Sequence, residues 1–504
     1  MKKVVSIFLA IALLFTFSMS VLAADTSITI TDATRTYAAY QLLDVTSSLK
    51  SNHVAHEGTC PSDHFNYSYT LREDNKYVSI LQELAKEQDQ DAASVTVDQI
   101  LAYLEANKND MQTVADKIYR AIVKAGLASD ATVTSATQTI EQGYWLFADT
   151  TGVTGGNVNS LVVLNTKGLD ALTITPKTAT PTITKKVLEI NDSVAVVNGV
   201  DYWGKAADYD IGDDVAFKLT ATLPSNLSSY EVYTLNFKDN LADGFTLNQG
   251  SIVVTATTGN TAVNLEKDTD YTISFDATGY EFVVSFADVT EIAGVTAETV
   301  FVVTYDAELT DAAVVGDDGN ANVVDLVFSN NPYGATTGTI SDRVNVYTYE
   351  LVINKVTTEN DQKIPLAGAG FTLYKQDVNG VFNEVDITVE LNGDGTTFTF
   401  TGLDAGVYKL EESTVPAGYN KIADIEFEIE AEYTVDTVTA LESTLGTAVA
   451  ETGIITADIN NSTGTILPST GAAGTMWLII GGTVLVVLAG VFMITRKKMS
   501  VFED

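Results

Sequence analysis

Cysteine is nearly absent. Cys60 is the single one in 504 residues, so no disulfide can form within the chain. Exported proteins usually use an oxidising exterior to staple their domains with disulfides. Here ordinary cores must suffice, or another covalent bond must serve. Basic residues are scarce as well: 28 Lys and Arg face 66 Asp and Glu, a formal net charge of −38. That balance excludes nucleic acid as a partner and suits an extended, solvated surface protein. Histidine is rarer still. His53, His56 and His64 are the only ones, crowded with Cys60 into "HVAHEGTCPSDH". These residue types suit zinc, but the stretch is loop-like and matches no usual ligand spacing, so neither metal nor cofactor is assigned. Helical periodicity is missing from about residue 181 to 465, which excludes a helical protein.

What is there begins at the two ends. "MKK", an apolar "VVSIFLAIALLF" and the small residues Ala23 and Ala24 read as a secretory signal peptide over 1–23, cleaved after Ala23. At the other end Met476–Ile494, "MWLIIGGTVLVVLAGVFMI", carries no charge. About 20 such residues span a bilayer as a helix. Arg496, Lys497 and Lys498 follow, which places the C-terminus in the cytoplasm and everything before the span outside. A chain secreted at one end and halted in the membrane at the other is a surface protein.

About 440 residues then lie outside, room for three domains at ~100–200 residues each. The first, 24–175, is mixed. "SITITDATRTYAAYQLLDV" alternates like a strand, whereas Met111, Val114, Ile118, Ile122 and Ala125 recur at helical steps. The reading is a β domain with a helical insertion. Two further domains, 176–347 and 348–465, consist of short Val/Ile/Thr/aromatic runs separated by turns such as "TTGN", "GDDGN" and "LNGDG". That spacing predicts β-sandwiches of the immunoglobulin type. A boundary falls in "RVNVYTYELVINK", where one domain's last strand runs into the next domain's first, and the Thr/Pro stretch around Pro176 and Pro181 reads as a stiff joint.

Residues 466–504 hold "LPSTG" (Leu467, Pro468, Ser469, Thr470 and Gly471), the apolar span and the basic tail. Together they resemble the sorting signal of proteins joined covalently by sortases. In that family a transpeptidase cysteine attacks the carbonyl of the motif's threonine, here Thr470, and releases Gly471 onward. The whole mature chain resembles the major, or backbone, pilins of sortase-assembled Gram-positive pili, with tandem Cna-type sandwiches. The family's pilin motif sets a nucleophilic lysine after a proline at the end of the first domain, typically Tyr-Pro-Lys. "ITPKT" supplies Lys177, with Thr175 in place of the tyrosine.

The resemblance also implies a substitute for the absent disulfides: Lys–Asn isopeptide bonds inside each sandwich, promoted by a buried Asp or Glu. The amine must be neutral to attack and the acid protonated to polarise the amide. One apolar environment does both, lowering a lysine pKa and raising a carboxyl pKa. The reacting residues should therefore point inward, which strand alternation tests. In the last domain Leu351, Ile353 and Lys355 share a face, as do Tyr408, Leu410 and Glu412, with Glu411 outward. "GVYKLEESTVPAGY" there resembles the family's Tyr-x-Leu-x-Glu…Pro-x-Gly-Tyr box. Ile455, Ala457, Ile459 and Asn461 align, which selects Asn461 over Asn460. In the middle domain Ile183 aligns with Lys185, leaving Lys186 outward. Tyr233, Leu235 and Phe237 align with Asp239. Val324, Leu326 and Phe328 align with Asn330, which is chosen over Asn331. The first domain shows no equally clear triad.

The expectation is a shaft subunit and not an enzyme: apart from the catalytic acids Asp239 and Glu412 no nucleophile–base set is present. Its implied partners are pilin-specific and housekeeping sortases, other copies of itself, tip and base minor pilins, and peptidoglycan, with a role in adhesion and colonisation. The rival is a wall-anchored monomeric adhesin whose β domains form a stalk. Lys177 separates the two, because only a shaft subunit needs it.

Overall fold

The computed structural model describes residues 21–22 and 25–463, except 33, 51–64, 75, 87–94, 135–136, 152–158, 168, 170, 176–178, 191–201 and 317–318. The histidine–cysteine cluster, Lys177, Leu467–Gly471, the 476–494 span and nearly all of the signal peptide lie outside the described residues. Among the described residues no helix is long and apolar enough to cross a membrane.

The first body is built on Tyr37–Leu49, a strand paired on one side with Gly143–Asp149, which in turn pairs with Leu161–Asn165. Its run "YAAYQLL" is buried almost throughout because both faces of the sheet are covered. A three-stranded sheet lies against one face, with Thr26–Ile30 antiparallel to Gln138–Ile140 and parallel to Ala171–Ile174. Ile28, Tyr37, Trp145 and Phe147 fill the space between. On the other face pack three helices inserted between the Phe65–Thr70 and Ala131–Val133 strands: Val78–Ala85, Val97–Ala106 and Met111–Lys124. Val114, Ile118 and Ile122 present the apolar stripe of the last helix to Leu42, Leu146 and Leu161. Thr96 and Gln99 close the start of the middle helix with a reciprocal capping box.

The second and third bodies are sandwiches. The middle one packs a seven-stranded sheet, containing Thr182–Glu189, Asp214–Thr222 and Thr299–Leu309, on a six-stranded sheet. The latter is ordered Ala206–Asp208, Thr337–Tyr347, Asn320–Ser329, Leu235–Leu241, Tyr280–Phe286, Thr272–Ala277. Strict alternation of buried and half-buried residues along Asn320–Ser329 marks a strand with one face in the core. The last body packs a six-stranded sheet, centred on Tyr349–Glu359, on a five-stranded sheet that includes Gly406–Thr414. Thr348 alone separates Thr337–Tyr347 from Tyr349–Glu359, so one continuous run passes from one sandwich into the next.

Polar contacts close both joints. Between the first and second bodies, Tyr119 meets Tyr333 edge-on at 4.7 Å and Arg120 donates to the Pro332 carbonyl at 3.2 Å. Between the second and third, Lys375 contacts Asp210 at 2.5 Å, and Tyr433 donates to Asp208 at 2.5 Å.

Candidate functional site

Each sandwich buries one lysine completely. In the last body Lys355 points inward from Tyr349–Glu359 because it follows Leu351 and Ile353 at two-residue steps. Ile454–Asn461 runs parallel beside it, with Lys355 opposite Ile459 and Thr357 opposite Asn461. The lysine Nζ therefore reaches along the sheet to donate to Asn461 Oδ1, and also to the Ile459 carbonyl at 3.1 Å. Glu412 comes from the opposite sheet. Its Oε1 lies 3.6 Å from Lys355 Nζ and accepts from Asn461 Nδ2 at 2.9 Å, while Oε2 accepts from the Ile422 amide at 3.0 Å. Lys355, Glu412 and Asn461 are each 0 % exposed. Asn460 faces outward to Thr358, and Glu411 pairs with Lys421 at the surface.

In the middle body Lys185 stands on Thr182–Glu189 and reaches across to the other sheet. It donates to Asp239 Oδ2 at 2.5 Å, to the Tyr305 hydroxyl at 3.0 Å, and to Asn322 Oδ1. Asn322, not Asn330, is the carboxamide at this lysine. Both asparagines point inward from the same strand, so alternation cannot separate them. At ~3.3 Å per residue, however, they sit about 26 Å apart along it. Register decides: Asn322 lies opposite Leu241, two residues from Asp239, whereas Asn330 lies past the end where Phe328 faces Leu235. Asn330 instead accepts from Thr336 Oγ1 at 2.8 Å, and its carbonyl accepts from the Asn159 amide at 3.0 Å, at the joint with the first body.

Sequence reasoning also missed Tyr305. Its hydroxyl donates to Asp239 Oδ1 at 2.7 Å and accepts from Asn322 Nδ2 at 2.7 Å, so it links the acid to the amide nitrogen. No local signal pointed to it. For Asn322 a signal existed, since the inward run continues two residues before Val324.

Burial sets the electrostatics. It pulls the Lys185 pKa down to about 8, against the opposing attraction of Asp239, and pushes the Asp239 carboxyl and the Tyr305 phenol up. Burial likewise lowers Lys355, with Glu412 opposing. A lysine whose pKa burial lowers, so that its neutral form is easier to reach, and which is held against a carboxamide beside a carboxyl group, is positioned for acyl transfer from nitrogen to nitrogen. Among the described residues the first body buries no lysine; its buried cation is Arg35, paired with Asp149.

Family models match three segments. Residues 211–332 match the Gram-positive pilin backbone subunit 2, Cna-B-like domain; 350–443 match a prealbumin-like fold domain; 459–500 match the LPXTG cell wall anchor motif. The trypsin-resistant surface T6 protein of Streptococcus pyogenes serotype M6 is 26 % identical over 294 residues, covering 52 % of this chain and 48 % of that protein. The chain thus spans about half the length of the curated relative it matches. Among solved structures, the T6 backbone pilin of serotype M6 Streptococcus pyogenes, described as modular and three-domain, aligns with a TM-score of 0.51 at 18 % identity. That alignment covers 88 % of this chain and 98 % of the other. The group B streptococcus pilus 2b backbone protein aligns at 22 % identity and a TM-score of 0.40, over 52 % of this chain and 97 % of its own. The pilin-backbone domain thus falls on the middle sandwich and the cell wall anchor motif behind the last body, a pairing that supports a backbone pilin of the Gram-positive cell surface.

Proposed function

We propose that this chain is the repeating shaft subunit of a sortase-assembled pilus, locked internally by two Lys–Asn isopeptide bonds. Sortase cleaves between Thr470 and Gly471, and the Thr470 acyl group passes to Lys177 of another copy. A secreted, transiently membrane-anchored precursor suits that sequence of events. Peptidoglycan is the final acceptor at the base, and adhesion and colonisation are the roles such a fibre serves.

The observation that carries the internal locks is the repeated arrangement of a fully buried lysine against a carboxamide and a carboxyl group. As plain ion pairs these would be poor investments, because each buried ion costs several kcal/mol to desolvate. As precursors they are consumed. Neutral Lys355 Nζ attacks Cγ of Asn461, the Cγ–Nδ2 bond breaks, and ammonia leaves. Glu412 touches both nitrogens, so it takes the amine's proton and returns it to the leaving group. In the middle body Asp239 contacts the amine and Tyr305 contacts the leaving nitrogen, so the proton passes through the phenol. The chain acts once, on itself, and is otherwise a substrate.

Immunoblotting of boiled cell-wall extract tests the polymer. A high-mass ladder is expected, collapsing in Lys177→Ala to a monomer still attached through Thr470. Monomer alone in the wild type favours the anchored-adhesin reading, and a ladder persisting in the variant moves the acceptor role to another lysine.

A further inference from the structure

A third lysine points inward, and neither Lys–Asn bond uses it. Along Gly370–Gln376 the buried residues are Phe371, Leu373 and Lys375, the same two-residue step that turns Lys355 into its core. Lys375 pairs across the sheet with Tyr408, whereas Phe371 pairs with Glu412 on the same Gly406–Thr414 strand. The last body therefore carries its Lys355–Glu412–Asn461 group at one end of this strand pair. Lys375 stands at the other end, against the middle body.

There Lys375 meets two carboxyl groups from different bodies. Its Nζ lies 2.5 Å from Asp210 Oδ2, in the middle body, and 2.5 Å from Asp404 Oδ1, in its own. The other oxygen of Asp210 is held separately. The Asp404 backbone amide donates to Asp210 Oδ1 at 3.0 Å, and the buried Tyr408 hydroxyl lies 3.5 Å from it. That hydroxyl is also 3.2 Å from Asp404 Oδ1. The parts repeat those around Lys185: an amine, an acyl group, a second carboxyl, and a buried phenol touching the last two. Two carboxyls on one amine leave surplus negative charge in a site where charge is costly to bury. Burial, with Asp210 beside it, holds the Asp404 carboxyl well above its ordinary range, which makes it a stronger base for the proton of an attacking amine.

We infer that Lys375 Nζ and Asp210 Cγ condense into an amide that joins the middle and last bodies covalently. The ammonium passes one proton to Oδ2 along their hydrogen bond, and the neutral amine attacks Cγ. Charge develops on Oδ1, where the Asp404 N–H and the Tyr408 O–H stabilise it. Asp404 Oδ1 takes a second proton from Nζ and returns it to Oδ2. The Cγ–Oδ2 bond breaks and water leaves. One ammonium and one carboxylate become one amide and one water, with no oxidant, metal or other reactant. The bond pins the two bodies at one point, and any movement at the joint pivots there.

Intact mass of the purified ectodomain, measured after denaturation and followed by peptide mapping, tests this. The expected deficit is one water beyond the two ammonia molecules of the Lys–Asn bonds, with a branched peptide joining residues 210 and 375. Lys375→Arg keeps a cation at the joint but removes the amine, and should regain the water alone. Asp210→Asn offers a carboxamide in place of the acid, so its third loss should be ammonia instead of water, a change that an ion pair cannot imitate. A wild-type chain short of two ammonia molecules and no water overturns this inference alone, as does a branch from Lys375 to Asp404. A water deficit without any ammonia loss keeps this bond and overturns the Lys–Asn reading.

Discussion

Lys185 and Asn322 meet between the two sheets of the middle sandwich, the lysine donating to the amide oxygen, with the Tyr305 hydroxyl against both side chains. The purified ectodomain should therefore weigh two ammonia molecules less than its sequence. Asn322→Ala should restore one of them and Asn330→Ala neither, read by intact-mass spectrometry. A restored ammonia in Asn330→Ala would falsify the assignment.

Glu412→Ala should restore the other ammonia without touching the middle domain. Closing a loop near 100 residues contributes about 4.7 kcal/mol by chain entropy, less any strain. The variant's last domain should lose stability of that order and become sensitive to trypsin, while the ladder through Lys177 persists. Equal proteolytic half-lives for variant and wild type would remove the stabilising role of the Lys355–Asn461 bond.

Tyr305→Phe keeps the ring in the core and deletes only the hydroxyl between Asp239 and Asn322 Nδ2. Positioned proton transfer is worth roughly 10²–10⁴-fold. Bond formation in the middle domain should slow by about 10²-fold at the low end of that range, whereas the last domain, where Glu412 reaches the amide nitrogen directly, should react at its normal rate. Timed intact-mass measurements on newly refolded protein report both. Equal rates in the two proteins would mean that Asp239 needs no relay.

The joint between the second and third bodies should respond to pH. Burial, with the nearby Asp208 charge, pushes the Glu189 carboxyl from its ordinary 4.5 up to about 9, and burial raises Asp208 and Asp404 as well. Between those two values the folded joint holds a proton that the opened chain has released, so its stability falls as pH rises and is lowest above about 9. Distance measurements between labels on the two bodies should show the joint loosening from pH 6 toward ~9, and Glu189→Gln should flatten that dependence. A pH-independent distance in the wild type would assign the proton elsewhere.

Sequence by itself determined which residues face inward. Side chains alternate strictly on a pleated strand, so Lys355, Glu412 and Asn461, or Lys185 and Asp239, could be told from Lys186, Glu411 and Asn460 by parity with their apolar neighbours. In the last domain parity was enough, because Ile454–Asn461 carries a single inward asparagine. The helical insertion was legible for a similar reason, through the 3.6-residue spacing of Val114, Ile118 and Ile122. In the middle domain the inward face offers Asn320, Asn322 and Asn330, all buried and all of the same parity. Only the pairing of that strand with Leu235–Leu241 sets Asn322 near Asp239, and only the stacking of the opposite sheet brings Tyr305 to them. Parity is a property of one strand's backbone. Axial register and contact across sheets arise when separate strands bury their faces against each other, and that tertiary step set Asn322, not Asn330, against Lys185.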